Sequence, residues 1–382
     1  MPASRRSDIA SFIAMDVLAR ANALEAEGRS VLHLEVGEPG SPAPAVVAEA
    51  ARRALDAGRL GYTEALGREA LRARIARHYG ERYGIDLDPA RVVVTTGSSG
   101  GFTLAFLALF DAGARVGLAE PGYPAYRNIL RALDLVPVAM SVGPHNRWQV
   151  TPGDVDEAGR AARLDGLLVA SPANPTGAML APDALADLVD TCVRRDVTFI
   201  SDEIYHGLTY GLEAATALQA SDRAIVINSF SKYYCMTGWR IGWMVVPPEL
   251  VRVVERLAQN FYISPPTIAQ IAAEAAFEAT AEYEALRRAY ARNRDVLAAA
   301  LDRAGLGGHA PADGAFYLYC DISRFSNDSA DFAARMLTET GVAATPGIDF
   351  DPVNGSSYLR FSYASDPAVI DEAAARLERW LG

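Results

Sequence analysis

Cysteine is scarce. The 382 residues include three, Cys192, Cys235 and Cys320, far apart in the chain. Their odd number and wide separation exclude a disulfide framework and any metal-ligand spacing, and favour a reducing cytoplasm over secretion. The triplets Asn327-Asp328-Ser329 and Asn354-Gly355-Ser356 are then chance matches to a glycosylation acceptor. Long uncharged runs are missing too, and a bilayer span needs about 20 apolar residues. Arg5 and Arg6 are followed by Asp8, Asp16 and Arg20 rather than by an apolar stretch, so no signal peptide is expected. Positive charge is in deficit, 36 Lys and Arg against 47 Asp and Glu, a net charge of -11. That balance provides no footprint for nucleic acid or an anionic membrane. Internal repeats and low-complexity tracts are absent. What remains is 50% hydrophobic and 22% charged, the composition of a folded globular chain. Its length exceeds what one core usually supports, so two domains are expected.

Apolar spacing predicts a helix over 8–27, through Ile9, Phe12, Ile13, Val17, Leu18 and Leu24. The Pro/Gly-rich passage from Val36 to Pro44 is irregular, and helices are expected over 45–57 and 67–83. The middle of the chain alternates β-rich runs with helical patterns. The runs are 92–96, 115–120, 135–140, 166–171, 197–201, 224–230 and 240–246. They predict a largely parallel seven-stranded sheet covered on both faces. The last two are joined too tightly for a helical crossover, so one strand there is antiparallel. Residues 249–304 read as helical with a break at 263–267. A smaller α+β unit follows, with strands around 316–323, 341–347 and 358–364 and helices at 329–340 and 367–381. The N-terminal segment is expected to cross back to it.

Ligands of open α/β sheets bind beyond the carboxyl ends of the strands, and the polar clusters of this chain fall there. After the first run, Gly97-Ser98-Ser99-Gly100-Gly101 precedes a helical stretch, which suits phosphate, although Gly/Ser turns are often structural only. Tyr123 can stack on a flat ring or pack a loop. Asn174, in Asn-Pro-Thr-Gly, either shapes a turn or donates to an anionic ring oxygen. Asp202 either caps a helix or holds a pyridine nitrogen protonated, and Tyr205 can serve the oxygen of the same ring. Lys232 follows a buried strand among Phe230, Tyr233 and Tyr234, surroundings that depress an amine's pKa and make it a nucleophile toward an aldehyde. Arg240 is a fixed cation suited to phosphate. Arg360, on an apolar strand, either pairs with an acid or grips a carboxylate.

Taken together, the strings VGEP (36–39), GYTEALG (61–67), TTGSSGGF (95–102), PGYPAY (121–126), NPTG (174–177), DEIY (202–205), SFSKYYCMTGWRIG (229–242) and YLRFSYA (358–364) resemble the class I/II aminotransferases, fold-type-I enzymes of the aspartate aminotransferase superfamily. The resemblance implies pyridoxal 5'-phosphate held by Lys232 as a Schiff base, no metal, and an amino acid and a 2-oxo acid as substrates. It assigns Asp202 to the ring nitrogen, Asn174 and Tyr205 to the ring oxygen, and Tyr123 to the ring face. It assigns Ser98, Ser99, Gly100, Ser229 and Arg240 to the phosphate, which Tyr62 of a second subunit also reaches in a homodimer. Arg360, Gly37 and Asn174 receive the substrate carboxylate, under a lid that includes the N-terminal helix. The implied fold has a large domain (41–280), a small one (281–382) and an N-terminal arm (1–40) that joins the small domain. The chain departs from the family's pattern at Gly40-Ser41, where an acid and an aromatic commonly stand, and it offers no second arginine for a distal carboxylate. Tyr233, Tyr234 and Tyr317 could line an apolar or aromatic side-chain pocket, or simply pack. A carbon–sulfur β-lyase on the same scaffold is the alternative. A non-catalytic cofactor-binding regulator ranks below it, because the chain has no room for a DNA-binding domain before residue 37.

Overall fold

Residues 3–382 are described by a computed structural model. The chain opens with α1 (Ile13–Ala26) and β1 (Leu32–His33), followed by α2 (Ala45–Asp56) and α3 (Glu69–Tyr83). Helix α1 starts later than the apolar spacing predicts. Arg5–Ser7 form a single 3-10 turn and residues 8–12 carry no regular structure: Asn128 donates Nδ2 to the Ala10 carbonyl at 3.2 Å, and the Phe12 ring lies 5.7 Å from that of Tyr123. Of the apolar groups in the predicted extra turn, Phe12 packs on Tyr123 while Ile9 stays exposed.

Strands then alternate with helices: β2 (Val92–Thr95), α4 (Gly97–Leu109), β3 (Arg115–Glu120), α5 (Pro124–Ala132), β4 (Val136–Ser141), α6 (Pro152–Ala161), β5 (Gly166–Ala170), α7 (Pro182–Arg194), β6 (Thr198–Asp202), β7 (Ile225–Ser229) and β8 (Gly242–Val245). These strands form one sheet in the order β2-β8-β7-β6-β5-β3-β4. Strand β8 is antiparallel to both its neighbours, as its short link to β7 requires, and it inserts between β7 and β2 rather than at an edge. Val92 and Val94 face one apolar cluster, while Val93 between them faces another. A sheet buried on both sides explains why these strands read as continuous apolar runs. Beyond β3 the chain adds β4 outward, then returns to add β5, β6 and β7 on the other side. The crevice opens at that reversal, over the carboxyl ends of β3 and β5.

Helices α8 (Pro248–Phe261), α9 (Thr267–Ala276) and α10 (Thr280–Arg303) follow, broken where expected. The last part holds β9 (Tyr317–Asp321), α11 (Ser329–Thr340), β10 (Val342–Ala343), β11 (Thr345–Pro346), β12 (Tyr358–Ser362) and α12 (Pro367–Leu381). Helix α11 has sharp bounds because Asp328 accepts from the Ala330 and Asp331 amides at its start and Gly341 ends it in the left-handed region, at φ 73°. Strands β11, β12 and β9 make an antiparallel sheet. The N-terminal segment does cross back: β1 pairs in parallel with β10, and the Ser362 amide donates to the Leu34 carbonyl at 2.7 Å. Among the described residues no helix is long and apolar enough to cross a membrane.

Candidate active site

A cleft of about 290 Å³ opens at the sheet reversal, and its wall includes Lys232, Asp202, Asn174, Tyr205, Tyr123, Arg240 and Arg360. The sequence predicted all seven, and the fold brings them together from five strand ends and from β12. Lys232 follows β7 and donates from Nζ to the Gly37 carbonyl at 2.6 Å. Burial pushes its amine down from the usual 10.5 to about 8; Arg360 and Arg240 add to the fall, and Glu38 and Asp202 oppose it. The expected depression is present and burial is its main cause, but the neighbouring aromatics are not what line the lysine's side of the cleft. Phe230, Tyr233 and Tyr234 turn away into a core with Trp243, Phe277 and Tyr283. Tyr233 and Tyr234 therefore do not line the cleft, whereas Tyr317 does. Lys232 is also the single lysine of the whole chain, all other basic side chains of the 36 Lys and Arg being arginine. A simple residue count isolates it.

The Gly/Ser stretch is not a loop before a helix but the first turn of α4 itself. Its opening amides have no intrahelical acceptor, and the helix dipole adds positive potential. Ser98 and Ser99 line the cleft. Arg240 crosses above this turn, donating from Nη1 to the Thr237 carbonyl at 2.9 Å. The approach depends on Gly97, at φ 70°, where a Cβ would come within 2.4 Å of Arg240 Nη2. Ser229 and Ser231 exchange a hydrogen bond of 2.8 Å, and Ser229 also donates to the Ile241 carbonyl at 3.1 Å. Of these two serines Ser231 is the one on the cleft wall, with Ser229 behind it, and Gly100 likewise lies behind the wall. Ser231 stands beside the lysine but was passed over in the sequence.

Asp202 ends β6. No helix follows it, so the helix-cap reading falls, although its Oδ1 accepts the Ile204 amide at 3.0 Å. Tyr126 donates to Oδ2. Burial lifts this carboxyl from 3.8 to about 6, while Tyr126, the Ile204 amide and the Lys232 charge pull it back. Its neighbour Glu203 is pushed by burial from 4.5 to about 8, although Ala217, Thr216 and Ser201 donate to it. Of two adjacent buried carboxyls, burial raises Glu203 further than Asp202, and the more readily ionised Asp202 is the one on the cleft. Tyr126 was missed in the sequence; it lies on the first turn of α5, three residues after Tyr123.

Arg360 is 4% exposed and has no carboxylate partner among the described residues. It lies between the rings of Tyr317 and Phe350, its Cζ 4.4 and 4.7 Å from their centroids. Nη1 donates to Asn174 Oδ1 at 2.9 Å, Nη2 to the Glu35 carbonyl and to Thr345, and Nε finds no partner. A buried guanidinium held by neutral groups is short of an anion. With Oδ1 turned to Arg360, Asn174 keeps its Nδ2 as a free donor. Tyr205 exchanges a hydrogen bond of 2.8 Å with Tyr317, and Gly37 packs so closely on Tyr317 that a Cβ would lie 2.2 Å from its hydroxyl. Tyr62 lies away from this cleft and is 82% exposed.

Pyridoxal phosphate suits this set of groups. The free amine of Lys232, an anionic Asp202 without a cation of its own, and the Gly97 cradle under Arg240 are the three complements it requires. Among the described residues no cluster of His, Cys, Asp and Glu could hold a metal ion.

Residues 29–377 match the model of the family described as aminotransferase class I and II. A valine–pyruvate aminotransferase from Mycobacterium tuberculosis is 48% identical over 98% of this chain and 97% of its own length. Among solved structures, a putative aminotransferase from Silicibacter pomeroyi superposes with a TM-score of 0.94 at 51% identity, covering 100% of this chain and 99% of its own. An aspartate aminotransferase from Thermus thermophilus, solved with maleate, gives 0.92 at 33% identity and covers 99% of each chain.

Proposed function

This chain belongs to the class I and II aminotransferases, which are pyridoxal-phosphate-dependent enzymes of the α/β fold described above, and on that premise we propose that it transfers the amino group of a small apolar L-amino acid to a 2-oxo acid. The observation that carries this reading is Arg360, a buried arginine without an acid partner, set in one cleft with the amine of Lys232. It fixes the α-carboxylate that every such substrate has.

When bound, pyridoxal phosphate supplies an aldehyde that takes up the amino group and a ring that draws electrons away from the substrate's Cα–H bond. The first turn of α4, Ser231 and Arg240 hold its phosphate. Asp202 keeps a proton at the ring nitrogen. Asn174 Nδ2 and Tyr205 serve the ring oxygen, and Tyr123 covers a ring face. Arg360 anchors the substrate carboxylate with Asn174 beside it, which orients the Cα–H bond toward Lys232. Lys232, neutral in part at physiological pH, then removes that proton as general base and returns it at the adjacent carbon.

Apolar groups support the choice of side chain. Phe12, Met15, Val36 and Phe350 share the cleft wall, and among the described residues the cations on it are Lys232, Arg240 and Arg360. A distal carboxylate would lack a counter-charge there. The valine–pyruvate relative points the same way. A homodimer is part of the proposal: Leu60 and Tyr62 are exposed on the loop before α3, Phe261 and Ile263 are exposed at the break between α8 and α9, and Thr267 at the start of α9 ties the two together by donating to the Gly61 carbonyl at 2.6 Å. Tyr62 would serve the partner's phosphate site. The arm 1–40 and the domain 281–382 would close over the domain 41–280. Three free, buried cysteines suit a reducing cytoplasm.

The test is a single half-reaction. Enzyme loaded with cofactor is mixed with one amino acid at a time and no acceptor. Valine or alanine should yield one equivalent of 2-oxo acid per site and no ammonia, with aspartate far slower. Continuous release of ammonia would replace transamination by the lyase reading, and aspartate outpacing valine would refute the apolar preference.

A further inference from the structure

The Asp202 carboxylate is held from two sides. Its Oδ1 takes the backbone amide of Ile204 at 3.0 Å, which ties it to its own loop. Its Oδ2 takes the hydroxyl of Tyr126, which comes from a different layer of the fold. Tyr126 has little freedom. Its ring stands edge-on to Tyr123 at 5.2 Å and to Phe102 at 5.1 Å, and the residue is 6% exposed. A rigid phenol on α5 thus fixes the tilt of a carboxylate on β6.

We propose that Tyr126 is a positioning residue that orients the Asp202 carboxylate and keeps it an anion, so that it can pair with a protonated ring nitrogen of the cofactor. The inference rests on the assignment of Asp202 to that nitrogen. The physical reason is charge balance. Asp202 is 3% exposed, and a buried carboxylate without donors would rather bind a proton than remain charged. A neutral carboxyl cannot neutralise a cationic ring. The groups that face Asp202 are Tyr126 from α5, Tyr123 just before that helix, Lys232 after β7, and Glu203 next along the chain. Glu203 is held neutral by burial, so it does not compete as a base at pH 7. Burial and the Asp202 charge keep the Tyr126 phenol protonated, so it acts as a donor throughout. Lys232 becomes unavailable as a cation once it reacts. Tyr126 and the Ile204 amide are then the donors that remain.

The experiment measures binding of pyridoxamine 5'-phosphate, which cannot bond to Lys232, to apoenzyme by quenching of tryptophan fluorescence across pH 5 to 8.5. The phosphate's own titration is common to all variants and cancels in the comparison. In the parent, affinity should fall as pH drops through the Asp202 midpoint. Tyr126→Phe keeps the ring and its packing but loses the donor. It should move that midpoint up by about one pH unit, the effect of one hydrogen bond to a charged group, so that binding weakens about twofold at pH 7 and close to tenfold at pH 5. Tyr126→Leu, run alongside, should give the same midpoint, which separates loss of the donor from loss of ring shape. Asp202→Asn should abolish the step, and adding Tyr126→Phe to it should change nothing further. If Asp202→Asn leaves the curve of binding against pH untouched, the assignment of Asp202 itself fails. If Asp202→Asn abolishes the step while Tyr126→Phe overlays the parent, or acts in full in the Asn background, the role of Tyr126 is overturned and Asp202 keeps its own.

Discussion

An amine that titrates near 8 rather than 10.5 should betray itself chemically, and this chain allows an unusually clean test. Lys232 is its only lysine, so every lysine-specific signal reports one atom. The shift from 10.5 to about 8 corresponds to about 3 kcal/mol between the two protonation states. At pH 7.5 roughly a quarter of the molecules would carry a neutral, nucleophilic amine, against about one in a thousand for an ordinary lysine. The perturbation is pH, applied to apoenzyme from about pH 6 to about pH 11 in short pulses of trinitrobenzenesulfonate. Digestion and mass spectrometry then quantify the peptide that carries Lys232. The N-terminal amine lies on a different peptide and does not interfere. The rate should be half-maximal near pH 8 and level off from about pH 9 upward. A companion sign follows for stability. Between about pH 8 and 10.5 the unfolded chain binds a proton that the folded chain does not, so apoenzyme stability should gain a contribution from Lys232 as pH rises through that window. A modification rate that keeps climbing past pH 10 would show that burial does not perturb this amine, and the argument that the cleft makes a nucleophile of it would be lost.

Replacing Arg360 by Lys keeps the charge but loses the fork that bridges Asn174 and a carboxylate; KM for the amino donor should rise 10- to 100-fold, with pyridoxamine phosphate affinity unchanged. At Gly97 an alanine methyl would strike Arg240 at 2.4 Å and strain a backbone at φ 70°. Cofactor affinity, read by equilibrium dialysis, should fall at least tenfold, and normal affinity would mean that Arg240 does not serve the phosphate. Glu203 has a raised pKa, so the stability it contributes is full below its unfolded value near 4.5 and is lost as pH rises through about 8. Glu203→Gln, which cannot ionise, should therefore gain on the parent by roughly 3 kcal/mol or more between pH 5 and pH 8 in denaturant titrations.

Much of this protein could be read along the chain. Strands buried on both faces left continuous apolar runs, about half of the helices ended at or next to a glycine, and polar groups of the cleft sat just past strand ends. Lys232, Asp202, Asn174 and Arg240 were legible for that reason: each lies within a few residues of a strand end, so local pattern and site position coincide. Arg360 was half legible. Its place on an apolar strand was plain, but whether an acid neutralised it depended on segments far away, and the partner that answered is Asn174, 186 residues distant.

Other features depended on how layers pack. Nothing in the string SFSKYY tells which of Ser229 and Ser231 faces the cleft, or that Phe230, Tyr233 and Tyr234 point into the core, because the turn after β7 breaks the strand's alternation. Residues 8–12 carry helical spacing, yet they stay non-helical, with the Ala10 carbonyl held by Asn128 and Phe12 packed on Tyr123. The bond from Tyr126 to Asp202 joins residues 76 apart on a helix and a strand. Sequence by itself determined the elements, the family and the chemistry available at each strand end, since those follow from short-range periodicity and residue type. Tertiary structure alone decided which donors meet which acceptors across the cleft, because hydrogen-bond pairing depends on distances that no spacing along the chain encodes.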